Sequence, residues 1–148
     1  MKRLLVCLAL VLALALPTQA SAASREFAGE IAPSGTLTFK LKKKKKHSPK
    51  VKNFTFRQVP INCDGGPNTT FGRISGGLTV KRKRFGIELI DEEAGTSHLE
   101  VAGTVSKGAS SGTIRVFGAA PLENPSTDPP TRGSNCDTGV LNWTAARA

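Results

Sequence analysis

The stretch Cys136-Asp137-Thr138-Gly139-Val140-Leu141-Asn142-Trp143-Thr144-Ala145 guides the interpretation of the fold. It contains the only tryptophan of the chain and one of the two cysteines that lie outside the N-terminal apolar run. Residues of a β-strand point alternately to its two faces, so a strand here would put Gly139, Leu141, Trp143 and Ala145 on one face. That face can pack on a core, and the stretch is predicted to be the last strand of the domain.

The N-terminal segment has the organisation of a secretory signal. Lys2 and Arg3 form a positive region, Leu4–Leu16 is apolar, and Ala20-Ser21-Ala22 offers the small residues that a signal peptidase reads. An apolar run of this length is short for a transmembrane helix. We therefore expect residues 1–22 to be a signal peptide and residues 23–148 to form a single domain without a transmembrane segment. The protein is predicted to be secreted, either extracellular or associated with the cell envelope.

The charge of the chain is strongly basic, with 21 Lys and Arg against 11 Asp and Glu. Loss of Lys2 and Arg3 with the signal would leave 19 cationic residues in the predicted mature chain. Two cysteines also remain, Cys63 and Cys136. An exported compartment favours a disulfide between them, and the alternative is a pair of free thiols.

Apolar residues recur at every second position through most of the predicted mature chain, which indicates strands. Leu37, Phe39 and Leu41 form one such set, and Ile114 and Val116 belong to another. Turn clusters separate the sets at intervals of roughly 8 to 12 residues. The prediction is an all-β fold: a single antiparallel β-sandwich of about eight or nine strands, with a small β-barrel as the alternative. Pro60 indicates a bulge or a strand end.

Two parts of the sequence resemble a group of small, uncharacterised, secreted actinobacterial domains. They are Gly112-Thr113-Ile114-Arg115-Val116 and the later pattern Cys136-x-x-Gly139-x-Leu141-x-Trp143-x-Ala145. The likeness extends over most of the predicted mature chain, but only this terminal pair of strands is specific. The resemblance implies one antiparallel β-domain in which Cys63 pairs with Cys136, and it carries no catalytic residues.

Two basic runs are the main candidates for function, and both are predicted to lie in turns between strands. Adjacent ammonium groups repel one another and require water, so such runs are exposed. They could bind an anionic cell-envelope polymer or a membrane surface, and they would form one patch if both turns lie at the same end of the domain. The alternative is a solvated surface that prevents strand edges from pairing. The candidate residues are Lys42, Lys43, Lys44, Lys45, Lys46, Lys81, Arg82, Lys83 and Arg84.

Other kinds of site find less support in the sequence. Specific nucleic-acid binding is not expected, because exposed aromatic rings that would stack on bases are scarce. His47 and His98 are the only histidines, and neither belongs to a recognisable catalytic or metal-binding pattern. No cofactor or metal is predicted. The expected function is a non-enzymatic surface or binding protein, and the alternative is a secreted hydrolase or enzyme inhibitor that uses the long 118–135 loop.

Overall fold

The computed structural model describes residues 24–92, 96–123 and 131–148. The predicted signal peptide lies outside these ranges, as do parts of the Asp91–Gly95 turn and of the 118–135 loop. Within the described residues no helix has the length and apolar character needed to cross a membrane. The strands are β1 Ser24–Ile31, β2 Thr36–Lys42, β3 Lys50–Cys63, β4 Gly66–Thr79, β5 Arg84–Asp91, β6 Ser97–Val105, β7 Ala109–Gly118, β8 Cys136–Asp137 and β9 Leu141–Arg147.

The strands form one antiparallel sheet that closes on itself. Their order is β4-β3-β2-β1-β9-β7-β6-β5, and the short β8 pairs with both β3 and β7. Strands β1, β2, β3, β8, β7 and β9 therefore form a closed six-stranded barrel, with β4 added beside β3 and the pair β6 and β5 beside β7. The all-β prediction is confirmed, and the structure takes the form of the barrel alternative.

The interior of the barrel is filled by aromatic side chains from different strands. Phe27 and Phe39 stack with their ring centroids 4.9 Å apart. Trp143 packs against Phe39, Phe54 and Phe85, with centroid distances of 6.2, 5.9 and 6.1 Å. Phe39 and Trp143 belong to alternating sets identified in the sequence, and both are buried, so the period-2 pattern identified the core face of those strands correctly.

The last predicted strand is not continuous, which corrects the interpretation of Cys136–Ala145 as one strand. β8 ends at Asp137, and β9 begins at Leu141. Thr138 Oγ1 accepts a hydrogen bond from the Val116 N–H (3.0 Å), and Asp137 Oδ1 accepts one from the Gly139 N–H (2.7 Å). Side chains thus take backbone donors that a continuous ladder would use, and Gly139, at φ 64°, turns the chain between the two pieces.

The disulfide between Cys63 and Cys136 is present, as predicted, and joins residues 73 positions apart. It links the end of β3 to β8, where the two-residue strand completes the ring. Gly133 packs on this bridge, because a Cβ at that position would lie 2.6 Å from Cys63 Sγ. The covalent bond therefore holds the shortest element of the barrel in place.

The loop after β7 contacts both outer strands, β4 and β5. Ala120 and Leu122 are buried, and Thr70 Oγ1 of β4 donates a hydrogen bond to the Pro121 carbonyl (2.6 Å). Arg132 forms an ion pair of 3.2 Å with Asp91 at the end of β5. The described part of the loop thus links β4 to the end of β5.

The predicted irregularity near Pro60 is also present. The register of β3 against β4 shifts between Phe56 and Val59, and Gln58 has φ 54°. Pro60 follows this bulge and lies beyond the last residue of β3 that pairs with β2, which is Arg57. On that side its missing N–H interrupts no ladder.

Candidate anion-binding site

Three chain connections meet at one end of the barrel. They join β2 to β3 (residues 43–49), β4 to β5 (80–83) and β6 to β7 (106–108). The antiparallel registers place them together, since Ser24 pairs with Lys42, Lys42 with Lys50, and Lys50 with Thr79. The start of β1 and the end of β9 lie at the same end. We call it the basic end.

Cationic residues are concentrated at the basic end, while its three connections contain no Asp or Glu. The other end holds acidic residues at or next to strand termini, namely Asp64, Asp91, Glu92 and Asp137, together with Glu123 of the loop after β7. The molecule is therefore electrically asymmetric along the barrel. The cations of the basic end are Arg25, Lys42, Lys43, Lys44, Lys45, Lys46, Lys50, Lys81, Arg82, Lys83, Arg84, Lys107 and Arg147.

Ion pairing follows the same division. The ion pairs within the described ranges are Lys40–Glu26 (2.5 Å), Arg57–Glu123 (3.7 Å), Arg115–Asp137 (2.7 Å) and Arg132–Asp91 (3.2 Å). No cation of the basic end belongs to an ion pair with a described carboxylate. Beside the basic end, the Glu26 carboxylate is paired with Lys40. Like charges thus outnumber carboxylates strongly there, as in a surface that attracts anions.

A cavity of about 710 Å³ opens at the basic end, and both predicted basic runs contribute to it. Lys43 comes from the first run, and Arg82 and Lys83 come from the second. The two basic turns therefore lie at the same end of the domain and border one concave surface. We call Arg25, Lys43, Arg82, Lys83 and Lys107 the cationic rim.

Two residues of the cationic rim were missed by the sequence analysis. Arg25 is at the start of β1, and Lys107 is in the three-residue turn between β6 and β7. Arg25 Nη1 donates a hydrogen bond to the Lys107 carbonyl oxygen (3.5 Å), which brings the two segments together. Each is a single cation in its local sequence, so no charge run marked either one.

The turn that carries Arg82 and Lys83 has an unusual backbone for these residue types. Their φ angles are 47° and 67°, in the left-handed region. Lys81 and Arg84 exchange two backbone hydrogen bonds of 2.9 and 2.8 Å, which makes this a type I′ hairpin turn. Such turns favour Asn-Gly, because side chains with a Cβ are strained at positive φ. The position of the turn is fixed by the Val105 N–H, which donates to the Lys83 carbonyl (2.9 Å).

The remaining predicted cations surround this cavity without all lining it. Lys42, Lys44, Lys45 and Lys46 are exposed in or beside the β2–β3 connection, and Lys81 is exposed in the β4–β5 turn. Arg84 lines an adjoining cavity of about 500 Å³ together with hydroxyl side chains of Thr104, Ser106, Ser110, Ser111 and Thr144. Arg82 and Lys83 border both cavities.

A second charged group lies on the outer face of β7 and is tightly paired. Arg115 Nε and Nη2 donate to the two carboxylate oxygens of Asp137 at 3.1 and 2.7 Å. The hydrogen bond from Arg115, followed by the Gly139 N–H bond, holds the pKa of Asp137 below its usual value against the opposing effect of burial. The Arg115 guanidinium also lies 4.6 Å from the Phe117 ring centroid, so this group fastens β8 to β7.

Among the residues that the structure describes, neither histidine belongs to a cluster of His, Cys, Asp and Glu side chains. His98 stacks on Phe117 with a centroid distance of 4.4 Å, and His47 is exposed beside the lysine run. In the described ranges there is no group of three or more His, Cys, Asp or Glu side chains that could hold a metal ion. Phe54 and Phe56, the aromatic residues that follow the lysine run, are buried and offer no exposed platform for nucleic-acid bases.

Comparisons with protein-family models, with curated proteins and with solved structures returned no match. The resemblance to secreted actinobacterial domains stays a prediction.

Proposed function

We propose that the protein is an exported, non-enzymatic binding protein whose basic end engages anionic cell-envelope polymers. The observation that carries this proposal is the cationic rim, which gathers five positive side chains from four separate chain segments around one cavity. Their charges are left without described carboxylate partners, although the protein forms ion pairs elsewhere. An anionic ligand would supply the missing counter-charge.

The strained turn supports the same proposal. A hairpin that only had to connect β4 and β5 would be more stable with Asn-Gly at its two central positions. This chain has Arg82 and Lys83 there, at φ 47° and 67°. The turn is thus less stable than it could be at the two residues that border both cavities. Strained backbone of this kind is common at binding sites.

The test compares two variants that lose the same charge at different places. The rim variant combines Lys43→Ser, Arg82→Asn and Lys83→Gly, which keeps a turn sequence compatible with the type I′ geometry. The control variant combines Arg57→Gln, Arg73→Gln and Arg132→Gln, none of which belongs to the basic end. The probe is a purified teichoic-type wall polymer, and binding is measured by co-sedimentation and calorimetry over a salt series.

The wild type should bind at low ionic strength and lose affinity steeply as salt is added, because counterion release drives such binding. At about 1 kcal/mol for each cation, the rim variant should bind roughly 100-fold more weakly at low salt. The control variant should stay much closer to wild type. Equal weakening in both variants would show attraction to net charge alone and would reject the basic end as a site. Binding to vesicles of anionic phospholipid but not to the polymer would assign the surface to membranes instead.

A further inference from the structure

The cavity at the basic end has two chemically different parts. Its mouth carries the cationic rim, whereas Leu41, Pro49, Val80 and Val105 form an apolar floor. Val80 and Val105 are otherwise buried, with 6% and 7% of their surfaces exposed. A site for charge alone would need no apolar surface, and the floor therefore indicates a further property of the ligand.

The volume of the cavity is in the range of small-molecule binding pockets. Ligand pockets commonly have volumes of several hundred Å³, with apolar walls and a few polar groups that orient the ligand. This cavity, at about 710 Å³, has that composition. Its depth is limited by the core, because the next inward residue on the same face of β2 is Phe39, which stacks on Phe27. A ligand can place only a short apolar segment there.

We propose that the cavity binds a phosphate ester that carries an alkyl chain. The phosphate is held by the cationic rim, and the first methylene groups of the chain lie on the apolar floor. This inference rests on the proposed function and specifies its ligand class, since it adds an apolar requirement that a polyanion alone does not have. Both an acidic lipid in a membrane and a free alkyl phosphate have this chemistry.

A series of alkyl phosphates tests the apolar requirement. The purified mature protein is titrated with ethyl, butyl, hexyl, octyl and decyl phosphate, each below its micelle concentration, and the affinities are measured by calorimetry. All have the same head group, so a purely ionic site would bind them equally. Burial of methylene groups should raise the affinity by about 4-fold for each one, until the floor is covered and the affinity levels off.

Matched substitutions locate the effect. Val105→Thr keeps the shape of the side chain and makes the floor polar. Val140→Thr makes the same change at a residue that is 64% exposed and precedes β9 at the other end of the barrel. Leu41→Thr is a second floor variant at a partly buried position, in case Val105→Thr is unstable. The floor variants should flatten the dependence on chain length, and Val140→Thr should leave it unchanged.

Equal affinity for ethyl and octyl phosphate would overturn the inference, as would an unchanged dependence on chain length in both floor variants. Neither result would affect the proposed polymer binding, which depends on the cationic rim and is measured separately. To decide whether the ligand is a membrane lipid or a free alkyl phosphate, flotation of the protein with phosphatidylglycerol vesicles is compared with the titrations. Flotation that is lost in the floor variants would support a membrane lipid, and chain-dependent binding of monomers alone would support a free amphiphile.

Discussion

Lys83 combines two roles in the β4–β5 turn that can be separated by substitution. Its φ of 67° is strained for a residue with a Cβ, and its side chain is part of the cationic rim. Replacement by glycine removes the strain and the charge together. Lys83→Gly should therefore raise the free energy of unfolding by about 1 kcal/mol while it weakens polyanion binding. Denaturant unfolding and calorimetric binding of the same preparation check both effects.

Lys81 provides the matched control in the same turn. It is exposed and cationic, but its φ is not positive, so glycine relieves no strain there. Lys81→Gly should lower the free energy of unfolding by roughly 0.5–1 kcal/mol, because glycine has more conformational freedom to lose on folding. Stabilisation by both substitutions, or by neither, would contradict the assignment of strain to Lys83.

Asp137 gives the protein an acid-sensitive contact. Its pKa is lowered in the folded state, chiefly by the hydrogen bond from Arg115, so its contribution to stability is present above the pKa of the unfolded chain. This contribution is lost as the pH falls through the folded-state pKa. Urea unfolding at pH 7 and at pH 2 to 3 should show a smaller difference between the two conditions in Asp137→Asn than in wild type. Arg115→Gln should reduce the difference as well, and an unchanged difference in both variants would mean that the pair does not form.

At the scale of elements, the sequence predicts strands where alternation is long and fails where an element is short. The alternating sets around Leu37 and Ile114 are strands with the expected inward faces. β8 contains two residues, which is too few to show any periodicity, and so the break in Cys136–Ala145 could not be read from the pattern. That short strand is nevertheless the one that closes the barrel.

The candidate site could be predicted only in part, because local sequence patterns show its charge runs but not their arrangement in space. Runs of lysine and arginine are visible in the sequence, and they lie between segments of alternating apolar residues, which predicts that they are turns between strands. Their convergence depends on the registers of several strand pairs, which no local pattern encodes. Arg25 and Lys107 were missed because each is isolated in sequence and reaches the cavity only through the closure of the barrel.

The disulfide should be essential to the stability of this closure. It confines a segment of about 70 residues in the unfolded chain, which is worth about 4 kcal/mol in the chain-entropy description. The Cys63→Ser/Cys136→Ser double variant should lose that much in denaturant unfolding, which is a large share of the stability of a small domain. Intact-mass measurement should show the oxidised wild type about 2 Da lighter than its reduced form. An identical mass before and after reduction would show that the bond is absent.

At the scale of the whole molecule, charge is distributed unequally along the barrel. Of the 19 Lys and Arg residues in the predicted mature chain, 13 lie at the basic end, and four of the other six belong to ion pairs. Folding brings the two basic runs and the isolated cations together, while unfolding separates these segments, although neighbours within each run stay adjacent. The folded state therefore stores electrostatic repulsion that an anionic ligand can relieve, and this links stability to binding.

Salt should therefore stabilise this protein at low ionic strength. The Debye length falls from about 30 Å at 0.01 M salt to about 10 Å at 0.1 M, so added NaCl screens repulsion within the basic end. We expect the Tm of wild type to rise over this range and to rise again when the wall polymer is added at low salt. A variant with serine at Lys43, Lys44, Lys45 and Lys46 should start from a higher Tm and respond less to salt. The exposed ion pairs elsewhere act in the opposite direction, since salt weakens them. An equal response of the Tm to NaCl in wild type and in the serine variant would mean that the basic end is not the electrostatically strained surface that we describe.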